Sequence, residues 1–159
     1  MSLLRASILG AVDGVITSFA IVAGAHAGEL GTSAMLVVAV SSLLADGVSM
    51  GVSEFLSSAS ERAKVVAVSG GMRPELLGVA CFASFVSAGA VPIVAFVSFA
   101  NGSLLSCAMF SLVELMLLGA ARTRFTNEAL LVGLGQTSVL GGVAGGVAYG
   151  VGRLVQSWA

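Results

Sequence analysis

Apolar residues fill this chain in five long runs, at 3–28, 33–57, 75–99, 104–121 and 129–155. Each run approaches or exceeds the ~20 residues that a helix needs to cross the hydrocarbon core of a bilayer. Polar residues collect in the short stretches between them. Gly28-Glu-Leu-Gly-Thr32 parts the first two runs, and Ser58 to Pro74, with Glu61, Arg62, Lys64 and Arg73, parts the second and third. Asn101-Gly-Ser103 forms a tight turn after the third, and Arg122-Thr-Arg-Phe-Thr-Asn-Glu128 precedes the fifth. The pattern predicts an all-α integral membrane protein: one transmembrane domain over 1–159, five spanning helices, and no internal repeat or soluble domain.

Composition agrees. The chain is 57% hydrophobic and 9% charged, whereas soluble domains carry about 25% charged residues. Such a chain cannot clothe a water-exposed surface. Arg5 before an apolar run and Ala25-His-Ala27 after it imitate a signal peptide, but Asp13 would fall inside the apolar region and the run is longer than such peptides use. Basic residues set the orientation. With the N-terminus cytoplasmic, Arg5, Arg62, Lys64, Arg73, Arg122 and Arg124 all lie inside and only Arg153 lies outside, as the positive-inside rule requires. The C-terminus is then outside or lumenal, and Asn101-Gly-Ser103, formally a glycosylation sequon, lies too near the membrane for modification. The host membrane would be vacuolar or another endomembrane in a eukaryote, and the cytoplasmic membrane in a bacterium. A net charge of −1 offers nothing to nucleic acid, which calls for a basic patch.

Four acids interrupt the apolar runs: Asp13, Asp46, Glu54 and Glu114. No Lys or Arg stands at comparable depth. An unpaired carboxylate in a membrane must be protonated, hydrated or bound to a cation. Asp46, Met50 and Glu54 follow one another at four-residue steps, which places them along one side of a helix. Two carboxylates flanking a thioether make a mixed hard and soft donor set, suited to a borderline divalent ion such as Fe²⁺ more than to Mg²⁺ or Ca²⁺. Met50 reads equally as a core gap-filler. Gly10, Asp13, Gly14 and Thr17 share a face of the first helix, where glycine lets a neighbouring helix approach the carboxylate. Thr17 either offers its hydroxyl oxygen or bonds its own backbone. Gly47, Gly51 and the serines at 49, 53 and 57 read as small surfaces near the ligands. Glu114 and Met116, two residues apart, point to different sides, so they make no joint site; Glu114 stands as a separate candidate for the ion or proton path.

Other features read as structural. Pro92 marks a kink that membrane helices tolerate. Gly141-Gly-Val-Ala-Gly-Gly146, with its Gly142-x-x-x-Gly146 spacing, reads as a helix-packing face. Tyr149 and Trp158 suit the interface, His26 and Glu29 a solvated loop, and Cys81 and Cys107 apolar packing. No zinc-enzyme spacing occurs.

Taken together, Gly10-Ala-Val-Asp-Gly-Val-Ile-Thr17 and Asp46-Gly-Val-Ser-Met-Gly-Val-Ser-Glu-Phe-Leu-Ser57 resemble the first two helices of the vacuolar iron transporter family. Gly119-Ala-Ala-Arg-Thr-Arg-Phe-Thr126 and the Gly-rich run ending Ala148-Tyr-Gly-Val-Gly-Arg153 resemble its C-terminal half. The resemblance implies a five-helix protomer, a homodimer with its ion path near the two-fold axis, and export of Fe²⁺ or Mn²⁺ from the cytosol in exchange for protons. It makes Asp13 and Met50 pathway residues. Many members carry an acid two turns before that methionine; Ser42 stands there, and Asp46, one turn nearer, substitutes. Iron-storing members have a long Glu-rich cytoplasmic region between the second and third helices. With only Ser58 to Pro74 there, the chain is similar to the short, nodulin-like branch.

The sequence therefore leads to a dimeric divalent-metal/proton antiporter, not an enzyme, with no resident cofactor. Asp13, Met50, Asp46 and Glu54 form the metal path, with Thr17 and Glu114 as further path or proton-coupling candidates. Co²⁺ and Zn²⁺ join Fe²⁺ and Mn²⁺ as candidate cargo. The glycine faces of the first two helices, Gly14 above all, are expected to carry the contact between copies. The rival readings are a passive cation channel and a non-transporting membrane scaffold.

Overall fold

The computed structural model describes residues 2–64, 72–99, 103–126 and 129–158. They form five helices and no strand: α1 (Leu3–Ala27), α2 (Thr32–Lys64), α3 (Pro74–Ser98), α4 (Leu104–Thr126) and α5 (Leu130–Gln156). Each is long and apolar enough to span a bilayer, and the chain is an integral membrane protein. The first two residues of the Asn101-Gly-Ser103 turn, residues 65–71 of the second connection, and Asn127 and Glu128 of the fourth lie outside the described residues.

Helix ends follow local chemistry. Ser2 caps α1, its Oγ accepting from the Arg5 backbone N–H at 3.4 Å. Pro74 opens α3 from its first turn, where a missing N–H costs nothing. At the end of α1 the Glu29 N–H donates to the His26 carbonyl at 3.1 Å and the Leu30 N–H to the Ala25 carbonyl at 3.0 Å. This is a Schellman closure, and Glu29 takes the left-handed position at φ 56° that glycine usually fills. Its carboxylate is engaged across the bundle end by Arg153 at 3.8 Å and by Gln156 at 3.4 Å.

Two helices outrun their apolar stretches. α2 continues to Lys64 instead of stopping near 57, and α4 to Thr126 instead of 121. Hydropathy falls where the bilayer ends, but Ala59-Ser-Glu-Arg-Ala-Lys64 is built mostly of good helix formers. The 33 residues of α2 make a rod about 50 Å long against a hydrocarbon core of about 30 Å. Its last turns, with Glu61 and Arg62, stand outside the core.

α1 is the central helix. It touches all four others, whereas α2 touches only α1 and α3 among the described residues, and α5 only α1 and α4. Odd-numbered helices run parallel and even-numbered ones antiparallel to them. Gly10 and Gly14 of α1 face the Cys81 and Phe85 carbonyls of α3, while Gly51 of α2 and Gly78 of α3 face each other's carbonyls. Gly119 of α4 and Gly133 of α5 do the same. Without a hydrophobic drive between helices in lipid, such close backbone contact holds the bundle by dispersion. Phe85, Met35, Val22 and Cys107 are buried in the main apolar cluster; Cys81 and Cys107 are free thiols.

Two expectations change here. Gly10, Gly14, Gly47 and Gly51 all meet α3 of the same chain, so the glycines of the first two helices hold the protomer together and Gly14 does not carry a contact between copies. On α5 the packing glycines are Gly141 and Gly145, against Leu115 and Phe19, while Gly142 and Gly146 have nothing within 4 Å.

A methyl group at Gly14 would have to displace backbone, so Gly14→Ala is expected to cost about 1–3 kcal/mol as overpacking. Gly142→Ala meets no atom and is expected to be neutral or stabilising by up to about 1 kcal/mol through helix propensity. Unfolding midpoints in one detergent measure both; equal shifts would contradict the inward placement of Gly14.

Candidate metal-ion site

Asp13 and Thr17, on successive turns of α1, and Asp46, Ser49, Met50 and Ser53 of α2 line a cleft of about 260 Å³. Among the described residues none of α3, α4 or α5 lines it, because α2 lies at the edge of the bundle. Asp13 and Thr17 are half-buried and Asp46 is exposed. Neither carboxylate has a hydrogen-bond or ion-pair partner among the described residues, and no Lys or Arg lines the cleft. Asp13 is ten residues into α1, about 15 Å along its axis and near the middle of the span.

The cleft belongs to a longer feature. Ser42, Asp46, Ser49, Ser53, Ser57 and Ser60 recur every three or four residues along α2, and all but the half-buried Ser42 are exposed. That is one helical stripe, polar from the middle of the membrane to beyond its edge. Hydrocarbon is an unfavourable neighbour for it, and for its aspartate above all.

The four-residue steps of Asp46, Met50 and Glu54 behave differently. A helix turns about 100° per residue, so each such step overshoots by about 40°. Asp46 is exposed, Met50 half-buried and Glu54 buried, so this row turns away from the cleft into the packed interior. Glu54 does not line the cleft; Ser58 Oγ donates to its Oε1 at 3.3 Å. Met50 lines the cleft and also packs against the apolar clusters around Phe85 and around Leu77 and Cys81, so its thioether belongs to both. Glu114 stands apart, on α4, which does not touch α2 among the described residues. Its Oε2 is buried with no hydrogen-bond partner among them.

The structure thus gathers Asp13, Thr17, Asp46 and Met50 and leaves Glu54 and Glu114 outside. Ser49 and Ser53, read from sequence as small surfaces near the ligands, line the cleft itself; the signal for that was the 3.6-residue serine period. Among the described residues no three His, Cys, Asp or Glu side chains lie close enough to hold a metal ion. One chain offers two carboxylates, one thioether and hydroxyls.

The molecule is a five-span helical membrane protein with an acidic cleft between α1 and α2 that opens outside the bundle. A sequence model of the VIT family matches residues 4–76 and 66–153, nearly the whole chain, and the chain belongs to that family. It is 45% identical over 58 residues to a protein of Toxoplasma gondii described as a vacuolar iron transporter, covering 36% of this chain and 19% of that one. A protein of Plasmodium falciparum with the same description is 37% identical over 59 residues, covering 37% and 22%. The matched stretch spans about a fifth of the length of these curated relatives.

Because Met50 fills core space as well as facing the cleft, Met50→Leu is expected to cost under about 1.5 kcal/mol and Met50→Ala about 2–5 kcal/mol. Unfolding midpoints in detergent check the pair; a neutral Met50→Ala would show that the side chain does not pack.

Proposed function

We propose that the protein moves a divalent transition metal, Fe²⁺ or Mn²⁺, across the membrane and out of the cytosol by exchange for protons. The observation that carries this reading is the cleft: two unpaired carboxylates and a thioether at mid-membrane depth, on a serine stripe that opens outside the bundle. A lone chain leaves that stripe against lipid with a ligand set short of a metal site. A second copy related by a two-fold axis along α2 would cover the stripe and double the donors to four carboxylates and two thioethers. Asp13 and Met50 are then central ligands, with Asp46 in place of the acid that Ser42 lacks. Thr17, Ser49 and Ser53 give hydroxyl oxygens for partial dehydration of the ion.

Exchange needs only the carboxylates. Metal binding requires them ionised and releases their protons, and protons arriving from the far side displace the ion. No bond is broken, so the activity is transport and not catalysis. Glu54, buried beside Ser58 toward the end of the membrane-embedded part of α2, would pass protons or ions between the cleft and the α2 overhang. The end carrying Arg5, Arg62, Arg73, Arg122 and Arg124 would face the cytosol.

In proteoliposomes with a pH gradient, Asp13→Asn is expected to abolish uptake of Fe²⁺, Mn²⁺ and Co²⁺ in a folded protein. Met50→Leu is expected to slow Fe²⁺ and Co²⁺ more than Mn²⁺. Equal rates for all three metals in Met50→Leu would remove sulfur from the site. Uptake independent of the gradient would make the protein a channel, and no uptake of any of these metals by the wild type would overturn transport.

The two-fold arrangement has its own test. Ser49→Cys is expected to form an intermolecular disulfide on mild oxidation in lipid, while the buried Cys81 and Cys107 do not react. Ser49→Cys chains that stay uncrosslinked while a cysteine at Gly142 crosslinks would move the contact to α5.

A further inference from the structure

On the side of α1 that faces α4 and α5, away from α2 and the acidic cleft, lies a second cavity, of about 390 Å³, within the ~300–1,000 Å³ range of small-molecule sites. Arg5 of α1 and Arg122 of α4 line it together with Ser2. Both arginines stand at the same end of the bundle, Arg5 in the first turn of α1 and Arg122 near the end of α4. Farther in, Ile8, Leu9 and Val12 of α1 and Leu140 of α5 make an apolar wall. From Arg5 to Val12 is seven residues, about 10 Å of helix. Leu9 and Leu140 are 47% and 56% exposed, so the wall opens sideways. Arg5 and Arg122 are the charged side chains among the described lining residues. The Thr137 hydroxyl, which also borders the cavity, already donates to the Leu115 carbonyl at 2.9 Å. Arg122 is steered along α5 by donation from Nη2 to Gln136 Oε1 at 3.0 Å.

Two guanidinium groups at the bundle end above a laterally open apolar wall match one kind of occupant. We propose that this cavity binds a single anionic phospholipid, its phosphate between Arg5 and Arg122 and one acyl chain descending along Leu9, Val12 and Leu140. Arginine suits this role because its planar fork of donors pairs with phosphate oxygens. A basic pocket between transmembrane helices selects anionic headgroups over zwitterionic ones, at about fivefold in affinity for each arginine. The site is independent of the metal path, since its residues and those of the cleft do not overlap.

Native mass spectrometry of the detergent-solubilised protein, titrated with phosphatidylglycerol or phosphatidylcholine of equal chain length, tests the assignment. One phosphatidylglycerol per chain is expected, with a preference of at least about tenfold over phosphatidylcholine. Arg5→Gln, at an exposed residue, should fold and reduce that preference about fivefold; Arg5→Gln with Arg122→Gln should abolish it. Leu140→Trp, which fills the wall and keeps both charges, should also abolish it. An unchanged preference in Arg5→Gln overturns the proposal, as does equal retention of the two lipids. Full preference in Leu140→Trp would assign the effect to surface charge and overturn the pocket. Inorganic phosphate displacing the lipid at equal concentration would make this a free-anion site and overturn the lipid assignment.

Discussion

At Gly10 and Gly14 the backbone of α1 lies against the carbonyls of Cys81 and Phe85, a separation that leaves no room for a side chain. Gly89 of α3 returns the contact, facing the Gly14 carbonyl and Ser18. In lipid, packing must come from contact itself, because the solvent is as apolar as the side chains. Small residues let one helix touch four others, and α1 does so. Everything polar in the bundle is then positioned relative to α1.

The same glycines decide which way α2 turns. Gly47 and Gly51 press against Phe82, Val86 and Gly78 of α3, which fixes the opposite side of α2 outward. That side carries Ser42, Asp46, Ser49, Ser53 and Ser57. The helix is thus rotated by its smallest residues, and its aspartate is presented by default. Asp13 joins it because α1 and α2 run antiparallel from a tight Schellman closure at Glu29, which pairs the middle of one helix with the middle of the other. A site of this kind needs no loop. Rigid helices hold the carboxylates, and the cleft stays open on the side away from the bundle.

Five spans were legible in the sequence because hydropathy runs are a direct record of the bilayer. Their ends were less so at α2 and α4, where the helix continues on backbone preference after the membrane has stopped supplying a reason. Within the cleft, Asp13 and Asp46 were legible as acids that need protonation, hydration or a cation in lipid, whereas Met50 and Thr17 each had a packing or backbone-bonding reading beside the ligand one. Their grouping was only partly so. The four-residue row through Glu54 looked like a ligand stripe, yet a helix turns by about 100° per residue, and the overshoot carries Glu54 inside. The serine row keeps the true period and marks the cleft. Glycine was hardest to read: spacing alone does not say whether a small surface meets α3 of the same chain or another copy, and at Gly142 and Gly146 a favourable spacing sits one residue away from the contact that forms.

Charge is divided along the axis as well as around it. Acids without partners occupy mid-depth, arginines gather at one end, and Glu29 and Arg153 neutralise each other at the other end. Around α1 the division is sharper. Val12 lines the arginine-capped cavity and Asp13 lines the acidic cleft, so neighbouring residues about 100° apart on the helix serve two compartments of opposite character. One faces α4 and α5, the other α2. Because α1 is held by close backbone contact with α3 and, at Gly24, with α5, it cannot rotate to exchange these faces without breaking the Gly10 and Gly14 contacts to α3. α2, by contrast, touches only α1 and α3 among the described residues, so the cleft it shares with α1 lies at the edge of the bundle.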